Sequence, residues 1–331
     1  MAGYGYRNYR GRTPKWKILL AIVLVLVILL SLTFLGLQRY IVYDETGTPH
    51  FLLPQSSESQ EAEHTAPPAD LTIEEPEVPE AEEPTVYYLS PDPVLTAEEA
   101  GTVLAVLENG CNGAVLTVKD QSGSVYLQTS GETQQALASI LSATDHAAAR
   151  IVCFADPQAA NGDVEGMGLK NTGGYIFYDG NNRQWLDPGK EGARSYLCGL
   201  AVQCAQLGFD EIILTAVSYP TEGKLDKIAY GDTPLDENFE GFLTEMTEAL
   251  APYEVTLTVE MTAEGILNGM EPGGLTLATA AKYADAITAP ATETDLAALS
   301  EAVTAVSGDF LPQLSQLPAD YEGSAILVTE S

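Results

Sequence analysis

The chain has 331 residues, of which 47 are acidic and 15 are basic, and its formal net charge at pH 7 is −32. Six basic residues and no acidic ones lie in the first 43 positions, so the rest combines nine basic with 47 acidic residues, a net charge of −38. A surface of that charge repels nucleic acids and anionic lipids, which excludes nucleic acid as a partner.

The first element is an apolar segment at residues 18–37, which contains no charged side chain and has Ser31 and Thr33 as its mildly polar ones. About 20 residues at a rise of about 1.5 Å each span the roughly 30 Å hydrocarbon core of a bilayer. A cleaved signal peptide has an apolar region of about 7–15 residues that ends in a small-x-small site. Here the segment is longer, and Gln38 and Arg39 follow it. It therefore predicts one uncleaved transmembrane helix.

The flanks of this segment predict its orientation. Residues 1–17 carry five basic side chains and no acidic one, so the positive-inside rule places this tail in the cytoplasm. A juxtamembrane segment at 38–53 contains a short strand-turn-strand pattern. Residues 54–86 hold ten acidic residues, no Lys or Arg and scattered prolines, which predicts a disordered, extended linker. The sequence thus predicts a single-pass cell-membrane protein with an extracellular domain at residues 87–331.

This domain alternates apolar strands with amphipathic helices. Its first helix begins with a capping-box pattern, in which Thr96 is followed three residues later by Glu99. The predicted helices cover 96–108, 132–145, 190–207, 238–250, 275–283 and 294–306. The predicted strands are 113–119, 150–154, 211–217, 255–259 and 284–288, with weaker ones at 310–314 and 325–328. A short hairpin is predicted at 175–178 and 184–186.

The alternation predicts a parallel sheet covered by helices, the arrangement of an α/β fold. Seven or eight strands in a domain of this length match a (β/α)8 TIM barrel, either closed or incomplete and open. An open doubly wound sheet is the alternative. Because no Gly-rich phosphate loop follows the first predicted strand, the sequence does not favour that alternative as a nucleotide-binding fold.

The number of histidines and the spacing of cysteines in the domain do not fit a metal site or histidine-dependent catalysis. His146 is the only histidine of the folded domain, so no histidine cluster can hold zinc. We expect it at the end of the helix 132–145, where a histidine interacts favourably with the helix dipole. The four cysteines, which show no C-x-x-C spacing, are Cys111, Cys153, Cys198 and Cys204. Buried free thiols are expected, with a Cys111–Cys153 bridge as the alternative. The sequence predicts no metal and no cofactor.

Four segments of the domain carry short motifs in a fixed order. Residues 112–123 read NGAVLTVKDQSG, and residues 149–157 read ARIVCFADP. Residues 169–188 contain Lys-Asn, Gly-Gly and Trp-x-Asp-Pro elements, and residues 208–220 read GFDEIILTAVSYP. In these motifs the chain resembles a bacterial family of glycoside-hydrolase-like TIM-barrel domains of unknown function and is identified as a divergent member. The resemblance implies a barrel fold and a carbohydrate partner in the cell envelope.

The chain departs from the family motifs at positions that a barrel directs into its C-terminal mouth. Two aspartates of the motifs are replaced by Thr117 and Thr215, and a lysine is replaced by Ala155. A tyrosine and an arginine are replaced by Ala216 and Ser218. Barrel enzymes place their chemistry at this mouth. The resemblance therefore implies a fold that has lost the expected acids and binds cell-envelope carbohydrate without hydrolysing it.

A rearranged pair of carboxylates is the alternative, because it would preserve an active glycosidase. Glycoside hydrolysis uses two carboxylates, about 5–5.5 Å apart for retention and about 6.5–9.5 Å apart for inversion. Asp120 and Glu260, at the ends of two predicted strands, are the candidate catalytic pair. The candidate substrate-binding residues are Lys119, Asp156, Trp185, Asp187 and Tyr219.

The acidic candidates also have a simpler interpretation. With 47 acidic residues in the chain, some lie near strand ends by chance. Asp187 also fits a turn that leads into a helix, with its side chain as the cap. Trp185 offers a flat ring for sugar stacking. A structural envelope protein is the second alternative, and it predicts no pocket at all.

Overall fold

The computed structural model describes residues 41–43, 49–51, 84–127 and 131–328. The chain divides into two compact units, Met1–Val78 and Pro79–Ser331. In the first unit, strand β1 (Ile41–Tyr43) pairs antiparallel with β2 (Pro49–Phe51), which confirms the two predicted strands; the predicted turn between them lies outside the described residues.

The predicted transmembrane segment at 18–37 and the cytoplasmic tail at 1–17 lie outside the described residues, as do residues 54–83 of the predicted linker. Within the described ranges, no helix is both long enough and apolar enough to cross a bilayer.

The second unit contains eight strands, all parallel, that close into a barrel in the order β10-β3-β4-β5-β6-β7-β8-β9. Its strands are β3 (Val86–Leu89), β4 (Gly113–Lys119), β5 (His146–Val152), β6 (Glu211–Thr215), β7 (Thr256–Glu260), β8 (Ala286–Pro290), β9 (Asp309–Leu314) and β10 (Ala325–Val328). The last strand pairs with the first, Ile326 opposite Tyr87, and with its predecessor, Ile326 opposite Gln313. The predicted TIM barrel is therefore confirmed, and it is closed.

Helices connect the strands. They are α1 (Ala97–Leu107), α2 (Glu132–Leu141), α3 (Pro157–Gly162), α4 (Glu191–Leu207), α5 (Leu235–Leu250), α6 (Ala263–Asn268), α7 (Leu277–Tyr283) and α8 (Leu296–Thr304). The capping box predicted for the first helix is present: Thr96 Oγ1 accepts a hydrogen bond from the Glu99 amide, and the Glu99 carboxylate accepts one from the Thr96 amide. Helix α4 ends at Gly208, whose φ of 95° is a left-handed conformation that glycine adopts without strain.

Two apolar layers hold the barrel together. Alternate side chains of the strands fill its interior; these are Tyr87, Val115, Ala148, Ile213, Leu311 and Ile326. The other side chains pack outward against the helices. In that outer layer the ring of Phe154 lies edge-on to the rings of Phe239 and Phe242, with centroid distances of 6.0 and 4.9 Å. Burying a side chain of this size contributes about 1.5–3 kcal/mol, so these contacts fix the end of β5 against α5.

Several of the observed elements differ from the predicted ones. The first strand of the barrel, β3, was not predicted, so the predicted first strand is the second one observed. The helix predicted at 132–145 ends at Leu141, and strand β5 begins at His146. The run of alanines that opens β5 favours a helix by propensity, but these small side chains are buried in the sheet, where tertiary packing overrides propensity. The hairpin predicted between 175–178 and 184–186 does not form: isolated bridges pair Ile176 with Lys170 and Leu186 with Gly168 instead.

His146 therefore lies at the amino-terminal end of a strand and not at the end of a helix. Its Nε2 atom is 3.3 Å from Oε2 of Glu211, a buried carboxylate. The same carboxylate accepts hydrogen bonds from the Tyr87 hydroxyl at 2.7 Å and from the Thr258 hydroxyl at 2.5 Å. This cluster closes the bottom of the barrel, the end that serves stability in barrel proteins. The hydrogen bond to Glu211 raises the pKa of His146, and the charges of Glu211 and Asp210 add to this, whereas burial opposes it.

We expect His146→Gln to lower the free energy of unfolding by about 1–3 kcal/mol in acidic solution, because the charged pair with Glu211 is lost. The folded state raises the pKa of His146 above 6.5, so the stabilisation is complete below that pH and is lost as pH rises through the raised value. Urea unfolding of both proteins at several pH values measures this difference. An effect that stays constant or grows with pH would contradict the assignment.

Candidate functional site

The carboxyl ends of the barrel strands surround one large pocket with a volume of about 730 Å³, here called the mouth pocket. Its lining includes all the positions where the sequence departs from the family motifs: Thr117, Ala155, Thr215, Ala216 and Ser218. It also includes ionisable groups and one indole: Asp92, Asp120, Arg150, Arg183, Trp185, Glu260 and Glu271. The mouth pocket therefore lacks the acids that the family motifs place there, but it contains other charged side chains.

Asp120 lines the mouth pocket, but its carboxylate accepts hydrogen bonds from groups of its own loop. Oδ1 accepts hydrogen bonds from the amide and hydroxyl of Ser122 at 2.8 and 2.7 Å and from the Ser124 amide at 3.1 Å. Oδ2 accepts one from the Tyr126 hydroxyl at 2.7 Å. Partial burial raises the pKa of Asp120, but these hydrogen bonds outweigh it and hold the pKa below its ordinary value. Asp120 is therefore ionised at neutral pH and is not a proton donor.

Glu260 ends strand β7 and points into the barrel. Both of its carboxylate oxygens lie 3.4 Å from Nη2 of Arg150, and Oε2 also accepts a hydrogen bond from Gln313 at 2.9 Å. The same amide of Gln313 lies 3.4 Å from the hydroxyl of Thr288. The predicted catalytic residue Glu260 is therefore in the mouth, where its oxygens have partners on strands β5 and β9.

Glu271 is a carboxylate of the mouth pocket that sequence reasoning did not identify. It is buried, and it accepts hydrogen bonds from the Thr262 amide and, at 3.0 Å, from the Thr262 hydroxyl. Burial raises its pKa, and the nearby charges of Glu264 and Glu260 act in the same direction. Gly265 passes so close that a Cβ there would lie 2.5 Å from Oε1 of Glu271. This carboxyl group holds the start of α6 in place.

Two arginines supply the positive charge of the mouth pocket. Arg150 lies on β5, and its Nε is buried without a hydrogen-bond acceptor among the described residues. Arg183 lies on the long loop after β5, and its Nη1 donates to the side chain of Gln121 at 2.8 Å. A guanidinium has five N–H donors, so both side chains have donors available to a ligand. A charged residue within the apolar β5 segment was the signal in the sequence that could have identified Arg150.

Trp185 forms part of the wall of the mouth pocket, as its predicted role in substrate binding requires. Its Nε1 donates a hydrogen bond of 2.9 Å to Oδ2 of Asp179. The indole is half-buried and packs against the apolar layer outside the barrel. This combination fixes the orientation of the ring at the rim.

Lys119 and Asp156 were predicted to bind substrate, but the structure buries both side chains completely, outside the lining of the mouth pocket. Lys119 Nζ lies 3.0 Å from Oδ2 of Asp156 and donates to the Val152 carbonyl at 2.5 Å. The physical reason is a β-bulge between Thr117 and Lys119, which turns Lys119 from the barrel interior to the helix layer. Asp156 accepts from the Ala159 amide and is the N-cap of α3.

Asp187 and Tyr219 meet each other behind the mouth rather than in it. The Tyr219 hydroxyl, on a side chain that is 1% exposed, lies 3.4 Å from Oδ1 of Asp187 and accepts a hydrogen bond from Asn238 at 3.0 Å. Burial raises the pKa of both Asp187 and Tyr219. Asp187 does not cap helix α4, since Lys190 is the N-cap; it accepts instead from the Gly189 amide at 3.0 Å.

The four cysteines are free and buried, so Cys111 and Cys153 do not form a disulfide bridge. Burial raises the pKa of the Cys153 thiol to about 12, although the charge of Lys119 opposes the shift. Within residues 84–127 and 131–328, no group of three or more His, Cys, Asp and Glu side chains could hold a metal ion.

Together, the fold and the site define a (β/α)8 barrel protein with a polar, charged pocket at the carboxyl ends of its strands, where barrel enzymes bind their substrates. The chain belongs to the family described as "Putative glycosyl hydrolase domain", whose model matches residues 88–288. This match confirms the family that the four sequence motifs predict. No curated protein sequence matches the chain.

The chain is similar to several solved structures. A hypothetical protein from Ruminiclostridium thermocellum ATCC 27405 is 22% identical, with a TM-score of 0.46 over 53% of this chain and 96% of its own. The PgaB (BpsB) glycoside hydrolase domain from Bordetella bronchiseptica is 12% identical, with a TM-score of 0.50 over 70% of this chain and 84% of its own. A chitinase from Chromobacterium violaceum ATCC 12472 is 14% identical, with a TM-score of 0.39 over 70% and 68%. At 12% identity, the likeness to the PgaB (BpsB) domain concerns the fold alone.

Proposed function

We propose that this protein is a membrane-anchored carbohydrate-binding protein of the cell envelope, with a glycoside-hydrolase-like barrel that does not hydrolyse its ligand. The anchor is the apolar segment at 18–37, the tail at 1–17 is cytoplasmic, and the barrel lies outside the cell. The charge asymmetry around the segment supports this orientation, and the acidic, proline-containing linker at 54–86 would hold the barrel away from the membrane.

The composition of the mouth pocket supports a carbohydrate ligand. Trp185 presents an oriented ring at the rim, and planar polar side chains such as Arg150, Glu260 and Gln313 line or support the floor. Sugars combine apolar faces with rings of hydroxyl groups, so a site needs both kinds of surface. A purely structural role does not need a pocket of this volume.

The proposal that the barrel does not hydrolyse its ligand depends on the protonation and the partners of the two candidate catalytic acids. Hydrolysis requires one carboxyl group that donates a proton and a second carboxylate that acts as a nucleophile or base. The pKa of Asp120 is lowered by its hydrogen bonds, so Asp120 cannot be the donor. Glu260 is the ion-pair partner of Arg150 and accepts from Gln313.

An active glycosidase remains the second candidate function, because Asp120 and Glu260 line the same pocket together with Trp185. Glu271, whose pKa burial raises, would be the proton donor of such an enzyme. Both of its oxygens accept hydrogen bonds from Thr262, which makes a structural role the better-supported one.

We expect the full-length protein, in detergent micelles, to bind cell-envelope saccharides on a glycan array and to release no reducing ends from them. Asp120→Asn and Glu260→Gln test the alternative, because both substitutions remove a charge at nearly constant shape. Turnover by the wild type that either substitution abolishes would establish the active glycosidase instead. If no saccharide binds, the carbohydrate assignment itself is wrong.

A further inference from the structure

A second pocket lies beside the mouth pocket, with a volume of about 590 Å³; it is here called the outer pocket. Its lining includes Asn171, Tyr178, Asp179, Lys224 and Lys227, side chains that carry hydrogen-bond donors, acceptors and one aromatic ring. None of these residues belongs to the mouth pocket or to the candidate catalytic pair. The outer pocket therefore requires an explanation of its own.

One turn of the chain separates the two pockets. The amide of Asp179 donates a 3.0 Å hydrogen bond to the carbonyl of Arg183, which closes the turn. Asp179 lines the outer pocket, whereas Arg183 and Trp185 line the mouth pocket. The linings of the two pockets therefore meet at this turn.

The Trp185–Asp179 hydrogen bond joins a residue of the mouth pocket to a residue of the outer pocket. Trp185 Nε1 donates to Oδ2 of Asp179, so the ring that faces the mouth is tied to a residue that faces the outer pocket. Beyond it, Tyr178 lines the outer pocket with 46% of its side chain exposed. An exposed ring beside donor groups is a surface that suits a pyranose.

We infer that the ligand is a polysaccharide chain that runs from the mouth pocket over the turn at residues 179–183 into the outer pocket, where a sugar ring stacks on Tyr178. Lys224, which is exposed, donates hydrogen bonds to hydroxyl groups of the same sugar. This inference rests on the proposed function, since it extends the binding site of the mouth. It defines the ligand as a polymer rather than a mono- or disaccharide.

The test is binding of oligosaccharide ladders to the full-length protein. The probes are β-1,4-linked N-acetylglucosamine and glucose oligomers and peptidoglycan glycan strands, each from the disaccharide to the octasaccharide, measured by calorimetry. We expect affinity to rise with length, and Tyr178→Ala to remove this gain, about fivefold to tenfold for the longest oligomer, while disaccharide binding is unchanged. Lys224→Ala is expected to act in the same direction.

Tyr175→Ala is the matched control, because Tyr175 is 75% exposed on the same loop but lines neither pocket. It should keep the length dependence of the wild type. Affinity that does not depend on length, or a length dependence that survives in both Tyr178→Ala and Lys224→Ala, overturns this inference and leaves the proposed function intact. If none of the oligomers binds, the proposed function fails, and this inference fails with it.

Discussion

Replacing Lys119 by methionine is expected to lower the free energy of unfolding by about 3–5 kcal/mol, because it leaves the carboxylate of Asp156 buried without its cation. Both side chains are 0% exposed, and their charged atoms are 3.0 Å apart. The ammonium group also donates to the carbonyls of Val152 and Cys153 at the end of β5. Removing it leaves these acceptors without their donor. Equilibrium denaturation with urea measures the loss.

The effect should extend to the mouth pocket, since the loop of Asp120 packs on the buried pair. Gly123, in this loop, has a φ of 84° and lies so close to Oδ1 of Asp156 that a Cβ there would overlap it. A shift of Asp156 toward solvent would therefore displace the turn that holds Asp120. We expect proteolysis within the loop 120–127 to accelerate in the Lys119→Met protein.

Two further variants separate the buried charge from simple loss of packing. Lys119→Met combined with Asp156→Asn removes both charges, and asparagine still caps α3, so most of the lost stability should return. Lys282→Met is the matched control: Lys282 forms an ion pair with Glu240, but both side chains are largely exposed. Exposed pairs contribute little. A Lys119→Met loss no larger than that of Lys282→Met would contradict the assignment.

The direction of the Lys119 side chain could not be predicted from the sequence. The strand pattern of β4 was predicted with its exact bounds, and alternation would direct Lys119 into the barrel with Thr117. The bulge between Thr117 and Lys119 turns the Lys119 side chain to the outer face of the barrel. This bulge depends on how β4 pairs with β5, which the local sequence does not specify. For the same reason, β3 was missed: a four-residue strand beside an acidic linker has too short a pattern, and its place depends on pairing with β4 and β10.

The sequence predicted those residues of the mouth pocket that lie at the ends of predicted strands. Asp120 and Glu260 end two strands, and both line the pocket, as does Trp185 on the adjoining loop. The sequence could not predict which of these side chains are already held by hydrogen bonds or ion pairs, because their partners are distant in the chain. Glu260 meets Arg150 and Gln313, which are 110 and 53 residues away. Glu271 comes from a loop without any motif, so no pattern pointed to it.

Trp185→Ala is expected to weaken saccharide binding by roughly tenfold to a hundredfold, because buried or oriented aromatic rings commonly dominate the energy of such sites. The ring is held by packing and by its hydrogen bond to Asp179, so it loses little freedom when a ligand binds. Trp185→Phe, which keeps a ring at the same place, should retain most of the affinity. Titration calorimetry with the saccharides that bind the wild type provides the measurement.

Fluorescence gives an independent readout at the same residue. The chain has two tryptophans, Trp16 and Trp185, so a Trp16→Phe protein reports on Trp185 alone. We expect its emission to shift as the saccharide saturates the mouth pocket, since the half-buried indole then loses water. Tyr175→Ala in this background should leave the shift unchanged. If Trp185→Ala binds with wild-type affinity and the emission does not respond to the ligand, the saccharide binds somewhere other than the mouth.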